Sequence, residues 1–294
     1  MFRKLSLLTI IPLSFITVLH AQSLREKVQQ IAAEAKGKVG VAYVDLETGD
    51  TLTLNGTAHL PMQSTFKFPI AMAVLHDVDG GKLSLDQKIR LRKKDMPLKT
   101  WSPMRDKYPD GGEVTLQEAL GYMVSQSDNV ACDVLIKLTG GTDKIESYIH
   151  SLGVTDIAIK ATEAEMAKEW NVQYTNWSEP IAYTKLLSIL YKGTALSLKS
   201  NDILWKMMVN TTTGPKRLKG LLPSGTIVAH KTGTSGTNDK GITAATNDVG
   251  VIQLFNKKHI ALAVMVSDSP ADEVTREAVI AKIAKAFADN LSVQ

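Results

Sequence analysis

The stretch Thr226-Ile227-Val228-Ala229-His230-Lys231-Thr232-Gly233-Thr234 is an apolar β-run that ends in a lysine, two threonines and a glycine. A strand from Thr226 to His230 that continues into Lys231-Thr232-Gly233 sets a cation and hydroxyls on a sheet edge. The glycine leaves room for a ligand along that edge, an arrangement suited to a carboxylate. Standing alone, the same residues read equally well as an edge strand blunted by lysine. Two further strings lie upstream. Ser64-x-x-Lys67 opens an apolar stripe of Phe66, Ile70, Val74 and Val78. Pro69 has no backbone donor, so a helix begins within a few residues of Ser64 and Lys67 projects one turn on from the same face. The lysine amine can then take or relay the serine proton. By itself this string is also an N-cap serine beside a solvated lysine, and a chain this long holds such strings by chance. Ser127-Asp128-Asn129 lies between a helical stretch ending near Val124 and the helix that follows. Ser127 can pass a proton to a leaving nitrogen, Asn129 can bond a substrate amide, and Asp128 ties the loop to its own amides; as an isolated tripeptide it is an Asx-type turn.

The ends and the composition bound what these strings can do. Met1 to Ala21 has a basic start at Arg3 and Lys4, an apolar run from Leu5 to Leu19 broken by Pro12, and a small residue at Ala21. That pattern reads as a cleaved secretory signal, residues 1–21, too short and too interrupted for a membrane span of roughly 20 residues. It predicts export to the periplasm with no membrane attachment after cleavage. Removal of Arg3 and Lys4 takes two from a formal net charge of +4, which points to neither nucleic acid nor anionic membrane as a partner. Hydrophobic residues at 44% allow a large core. Cys132 is the one cysteine, so there is no internal disulfide and no cysteine metal cluster; it reads as a buried small hydrophobe. The six histidines show no HExxH or HxH spacing, so no metal and no other cofactor is expected.

Along the chain, periodicity predicts a helix around Leu24 to Lys36 and strands Val39 to Asp45 and Thr51 to Leu54 joined by a turn at Glu47 to Asp50. From Thr65 to about Leu204 the pattern is mainly helical, with a second stripe at Leu116, Leu120 and Met123. Strands follow at Thr226 to His230, Ala244 to Phe255 and His259 to Ser267, then an amphipathic helix from about Asp272 to Asn290. Both ends of the chain, 22–60 and 211–294, therefore build one discontinuous α/β lobe. Residues 61–210 build an all-helical lobe, with the site between the two.

Taken together and in this order, the three strings resemble the motif set of class A serine β-lactamases and penicillin-binding proteins. The mature chain is similar to a class A serine β-lactamase along almost its whole length. Within that family it is most similar to the PER and VEB extended-spectrum branch, through Gln173-Tyr174-Thr175-Asn176-Trp177, the run Thr211 to Gly220, and Ala229 to Gly236. The resemblance implies an α/β, serine β-lactamase/transpeptidase-like fold: an antiparallel sheet flanked by helices, plus an all-helical lobe. It also implies small-molecule β-lactam substrates and a monomer. Ser64 would be the nucleophile, the backbone amides of Ser64 and Thr234 the oxyanion hole, and Ser127 the donor to the ring nitrogen. Glu163 matches the family's general base, although Glu165 and Glu169 stand close by. Asn129, Lys231, Thr232, Gly233, Thr234 and Ser235 match substrate-binding positions, as do Trp101 at the cleft mouth, Gln63 beside the nucleophile and Arg217 as a cation on the carboxylate side.

The chain departs from the family pattern around Glu163. The family commonly has Arg two residues before the glutamate and Asn four after, where Ala161 and Ala167 stand here, and Asp133 replaces a usual Asn. An alanine can neither clamp the loop by an ion pair nor bond the hydrolytic water, so an altered loop tether is expected. Three activities share this machinery: β-lactam hydrolysis, a DD-peptidase acting on peptidoglycan peptides, and a receptor domain that stays acylated. Glu163 favours the first.

Overall fold

The computed structural model describes residues 24–96 and 99–292; the signal reading at 1–21 lies outside them. A helix at 24–33 (α1) leads into β1 (Lys38–Asp45) and β2 (Thr51–Leu54), and β3 (Leu60–Pro61) follows. Helix α1 stops short of Lys36 because the chain turns there. Lys36 takes φ 53, and a side chain at Gly37 would come within 2.5 Å of Ser267 O.

Next come α2 (Lys67–Asp79), β4 (Lys88–Leu91), α3 (Pro103–Lys107), β5 (Gly112–Thr115), α4 (Leu116–Ser125), α5 (Asn129–Leu138) and α6 (Thr142–Ser151). The chain continues through β6 (Ile157–Ala158), α7 (Glu163–Met166), β7 (Trp177–Ser178), α8 (Pro180–Lys192) and α9 (Leu198–Val209). It ends with β8 (Ile227–Thr234), β9 (Thr243–Gln253), β10 (His259–Ser269) and α10 (Glu273–Ser292). The middle of the chain thus holds strands that a mainly helical reading misses. They are two to four residues long, too short for alternation to register. β4 pairs with β5, and β7 joins β3 to β6.

The main sheet has five antiparallel strands in the order β2-β1-β10-β9-β8, so the two chain ends meet at its centre. Strand alternation divides its two faces. Val39, Val41 and Tyr43 of β1 and Ile260, Leu262, Val264 and Val266 of β10 pack against α1 and α10, where Tyr43 stacks on Phe287 at 4.5 Å. Ala261, Ala263, Met265, Val249 and Val251 face the other way, into the core shared with α2, α4, α5 and α8. Both faces are covered, which is why β9 and β10 read as near-continuous apolar runs.

Helix α2 runs through the centre of that second core. Every residue from Lys67 to Leu75 is buried, so Ile70 and Val74 belong to a helix covered all round rather than to one stripe. Local signals fix several neighbours. Thr115 and Glu118 form a capping box on α4, Pro180 starts α8 and Gly193 ends it in the left-handed region, and Ser197 caps α9.

Candidate active site

Ser64 lies in a 3-10 turn, Gln63–Phe66, that runs directly into α2, so the hydroxyl sits at the positive end of a buried helix. Lys67, the first residue of α2, has no exposed surface. Its Nζ is 2.9 Å from Ser64 Oγ, 2.9 Å from Ser127 O, 2.6 Å from Asn129 Oδ1 and 2.7 Å from Glu163 Oε1. An ammonium has three N–H bonds for these acceptors, and its charge is balanced by one carboxylate. Ser64 Oγ lies 3.4 Å from the same Glu163 oxygen. Glu163 is not a solvated loop acid: it is the first residue of α7 and is 8% exposed. Glu165 points elsewhere, closing a capping box with Thr162.

Ser127 takes φ 58 in the link between α4 and α5, which turns its carbonyl to Lys67 while its hydroxyl accepts from Lys231 Nζ at 2.8 Å. Asp128 caps α5 through the Ala131 amide and also accepts from Ser102 Oγ and the Met104 amide. Asn129 donates to Thr100 Oγ1, and its backbone amide donates to Trp101 O. Trp101 is 60% exposed at the mouth, held by its indole N–H on Gln126 O.

Lys231 is buried in β8. Burial and then the like charge of Lys67 push its amine well below the ordinary lysine range, while Asp248 and Glu163 oppose that shift. Thr232 Oγ1 meets Thr213 Oγ1 at 2.5 Å, and Thr234 Oγ1 accepts from Arg217 at 2.7 Å. At Gly233 a Cβ would fall 2.5 Å from Met62 O and 3.0 Å from Thr65 N, so the glycine lets the turn that carries Ser64 press against the strand. Ser235 Oγ accepts the Ala245 amide and shapes the bend after β8.

Two expected binding residues are turned inward. Arg217 is 3% exposed and gives four of its N–H bonds to Glu277, Gly233 O, Asn247 O and Thr234 Oγ1. Gln63, at φ 48, donates its amide to Gln173 Oε1 at 2.6 Å.

The loop carrying Glu163 is tethered although Ala161 cannot clamp it. Asn176 Oδ1 accepts from the Lys160 and Ala161 amides and its Nδ2 donates to Ala161 O, while its own carbonyl holds the Met62 amide. Asp133 receives the Glu163 amide on one oxygen and the Ala164 amide on the other. Burial pushes the Asp133 carboxyl up to about 6, and those two amides pull against the shift. Tyr174 adds a 2.5 Å bond to Asp268. Asn176, Gln173 and Tyr174 stand in the run that carries the likeness to a family branch. Their tethering carries no sequence signal, because Ala161, Gln63 and Asp268, which they hold, stand 15, 110 and 94 positions away.

The family's sequence profile, the Beta-lactamase enzyme family, matches residues 23–291. The chain belongs to that family. This β-lactamase is 47% identical over 277 residues to the β-lactamase VEB-1 of Pseudomonas aeruginosa, with 92% of each protein aligned. It is 44% identical to the extended-spectrum β-lactamase PER-1 of the same organism, across 92% of this chain and 88% of that one. The crystal structure of a β-lactamase from Chitinophaga pinensis superposes with a TM-score of 0.90 at 56% identity, covering 91% of this chain and 98% of that one. The fold is that of the serine β-lactamases, and the family membership makes this chain a β-lactam hydrolase.

Proposed function

We propose that this chain opens the β-lactam ring of penicillins and cephalosporins, oxyimino cephalosporins among them, through an acyl-enzyme on Ser64, and so confers resistance. What carries the reading is the convergence of Ser64 Oγ, Lys67 Nζ and Glu163 Oε1 within 3.4 Å of one another in a buried site. Lys67 donates to its neighbours as an ammonium, so the Ser64 proton passes to Glu163 as the hydroxyl oxygen attacks the ring carbonyl. The carbonyl oxygen gains charge between the Ser64 and Thr234 amides, which stabilise it more in the transition state than in the substrate. Ser127, which accepts from Lys231, gives its proton to the departing ring nitrogen, and the proton that Glu163 took from Ser64 returns to Ser127 by way of Lys67, which lies against both, so that Glu163 is a carboxylate again. Glu163 then draws a proton from the water that cleaves the ester and passes it to the departing Ser64 oxygen. Lys231, Thr232 and Thr234 receive the substrate carboxylate, with Arg217 fixing Thr234 from behind. Asn129 and Trp101 receive the amide side chain. The enzyme acts in the periplasm as a monomer after loss of residues 1–21, without metal.

A chromogenic cephalosporin incubated with purified protein, followed by mass spectrometry, separates the alternatives. Turnover without a lasting adduct is expected; a persistent adduct indicates a DD-peptidase or an acylated receptor, and release of D-alanine from a D-alanyl-D-alanine peptide tells those two apart. Ser64→Ala should abolish turnover and leave folding intact, and wild-type turnover by that variant would refute the mechanism.

A further inference from the structure

From Pro61 to Ile70 every residue is buried except Ser64. The nucleophile thus stands in the cleft on a segment that is otherwise enclosed, and the backbone beneath it is held against its own preference. Gln63, directly before Ser64, takes φ 48, a region that a residue with a side chain keeps only where its surroundings hold it there. On the loop side the hold is the Gln63 amide on Gln173 Oε1. Met62 is fixed at both ends, its amide donating to Asn176 O and its carbonyl accepting from Asn247 Nδ2 at 3.0 Å.

Beyond Ser64 the turn has a further hold that the reaction steps do not use. Tyr183, in α8, is fully buried, and its hydroxyl lies 2.6 Å from Oγ1 of Thr65, the residue after the nucleophile. Thr65 Oγ1 is also 2.7 Å from Met62 O. A threonine hydroxyl has one hydrogen and a carbonyl can only accept, so the chain of bonds has one direction: Tyr183 donates to Thr65, and Thr65 donates to Met62 O. The opposite direction would leave the Tyr183 hydrogen with no acceptor among the described residues, at the cost of a buried unpaired donor. Burial pushes the Tyr183 phenol well above its ordinary value, so its proton stays in place. The bond from Thr65 to Met62 O closes a ring around Gln63 and Ser64, and Tyr183 anchors that ring to a helix outside the cleft. Nothing in the identity of Tyr183 as a residue of an apolar helix face announces this, because its partner stands 118 positions away.

Resting on the proposed reaction, we infer that Tyr183 is a positioning residue for acylation, which through Thr65 holds the turn so that the Ser64 hydroxyl and amide keep the attitude that attack on the ring carbonyl requires. Misplacement of either group slows the step without weakening substrate binding. The test is single-turnover acylation of the full chain by a chromogenic cephalosporin, which gives the acylation rate constant and the half-saturating concentration separately. Tyr183→Phe removes one oxygen and keeps the ring in the core. It should lower the rate constant about tenfold, with the half-saturating concentration within about twofold of wild type. Thr65→Val, which loses both bonds, should be slowed at least as much, and Thr65→Ser, which keeps them, should acylate at the wild-type rate. Because Tyr183 acts through Thr65, adding Tyr183→Phe to Thr65→Val should slow acylation no further. A purely structural role would lower Tm alone. A folded Tyr183→Phe that acylates at the wild-type rate, or whose effect multiplies with that of Thr65→Val, overturns the inference. If Tyr183→Phe does not fold, the Thr65 pair decides, and equal rates in Thr65→Ser and Thr65→Val overturn it. Failure of the wild type to be acylated at all would refute the proposed reaction, and this inference with it.

Discussion

At the scale of single residues, the two glutamates near Ser64 have opposite environments, and this makes the proposed base testable. Glu163 Oε1 touches both Lys67 and Ser64, whereas Glu165 is held by the Thr162 hydroxyl and amide at the start of α7. Glu163→Gln should still be acylated by a penicillin but accumulate a covalent adduct, seen as added mass. Glu165→Gln should turn over normally, and the reverse result would transfer the base to Glu165. Lys67→Ala should slow acylation by about two to four orders of magnitude in single-turnover kinetics. Asp133 gives a pH signature. Its folded-state carboxyl sits near 6, above the unfolded value of about 4, so the proton it binds stabilises the fold at low pH and that contribution is lost as pH rises through 6. Unfolding free energies compared with Asp133→Asn should therefore shift against the wild type between about pH 4 and 6 and run parallel above 7. A constant difference across that range would show that Asp133 titrates normally.

At the scale of elements, the segment from Ala161 to Asn176 shows how one tether substitutes for another. With alanine at 161 an ion-pair clamp is impossible, yet the Asn176 amide satisfies three backbone groups at that neck and is itself fully buried. Asn176→Ala leaves those groups without partners. It should cost roughly 2–3 kcal/mol, or about 2–4 °C in Tm per kcal/mol, by calorimetry. Because Glu163 is positioned by the same segment, kcat should fall at least about tenfold with acylation less affected. Stability and kcat both near wild type would show that the neck is held elsewhere. The sequence shows only which side chains are missing from this loop. The residues that compensate stand 15 positions away in the chain, and only folding sets them opposite one another.

At the scale of the whole molecule, the active site is a seam between a sheet and a helical core, and breadth of substrate depends on how much room that seam leaves beside Glu163. Without an arginine clamp at 161, oxyimino side chains should be accommodated. We expect kcat/KM for an oxyimino cephalosporin above roughly one thousandth of that for a simple penicillin, a margin of about 4 kcal/mol, and unchanged by chelator. A smaller ratio would mark a narrow penicillinase, and loss of activity with chelator would contradict the serine mechanism. By itself the sequence determined the succession of the longer elements, though not the two- to four-residue strands of the middle segment, and the identity of the chemical groups. Apolar periodicity, caps and glycine punctuation are local, and Ser64, Lys67, Ser127 and Lys231 stand in motifs of a few residues each. Only the tertiary structure decided that Gly233 makes room for the turn carrying Ser64, that Gln63 and Arg217 face inward, and that His230 pairs with Asp248. Each of these depends on which strand or loop lies alongside. That is settled by burying both faces of one sheet at once, a condition no short window of residues contains.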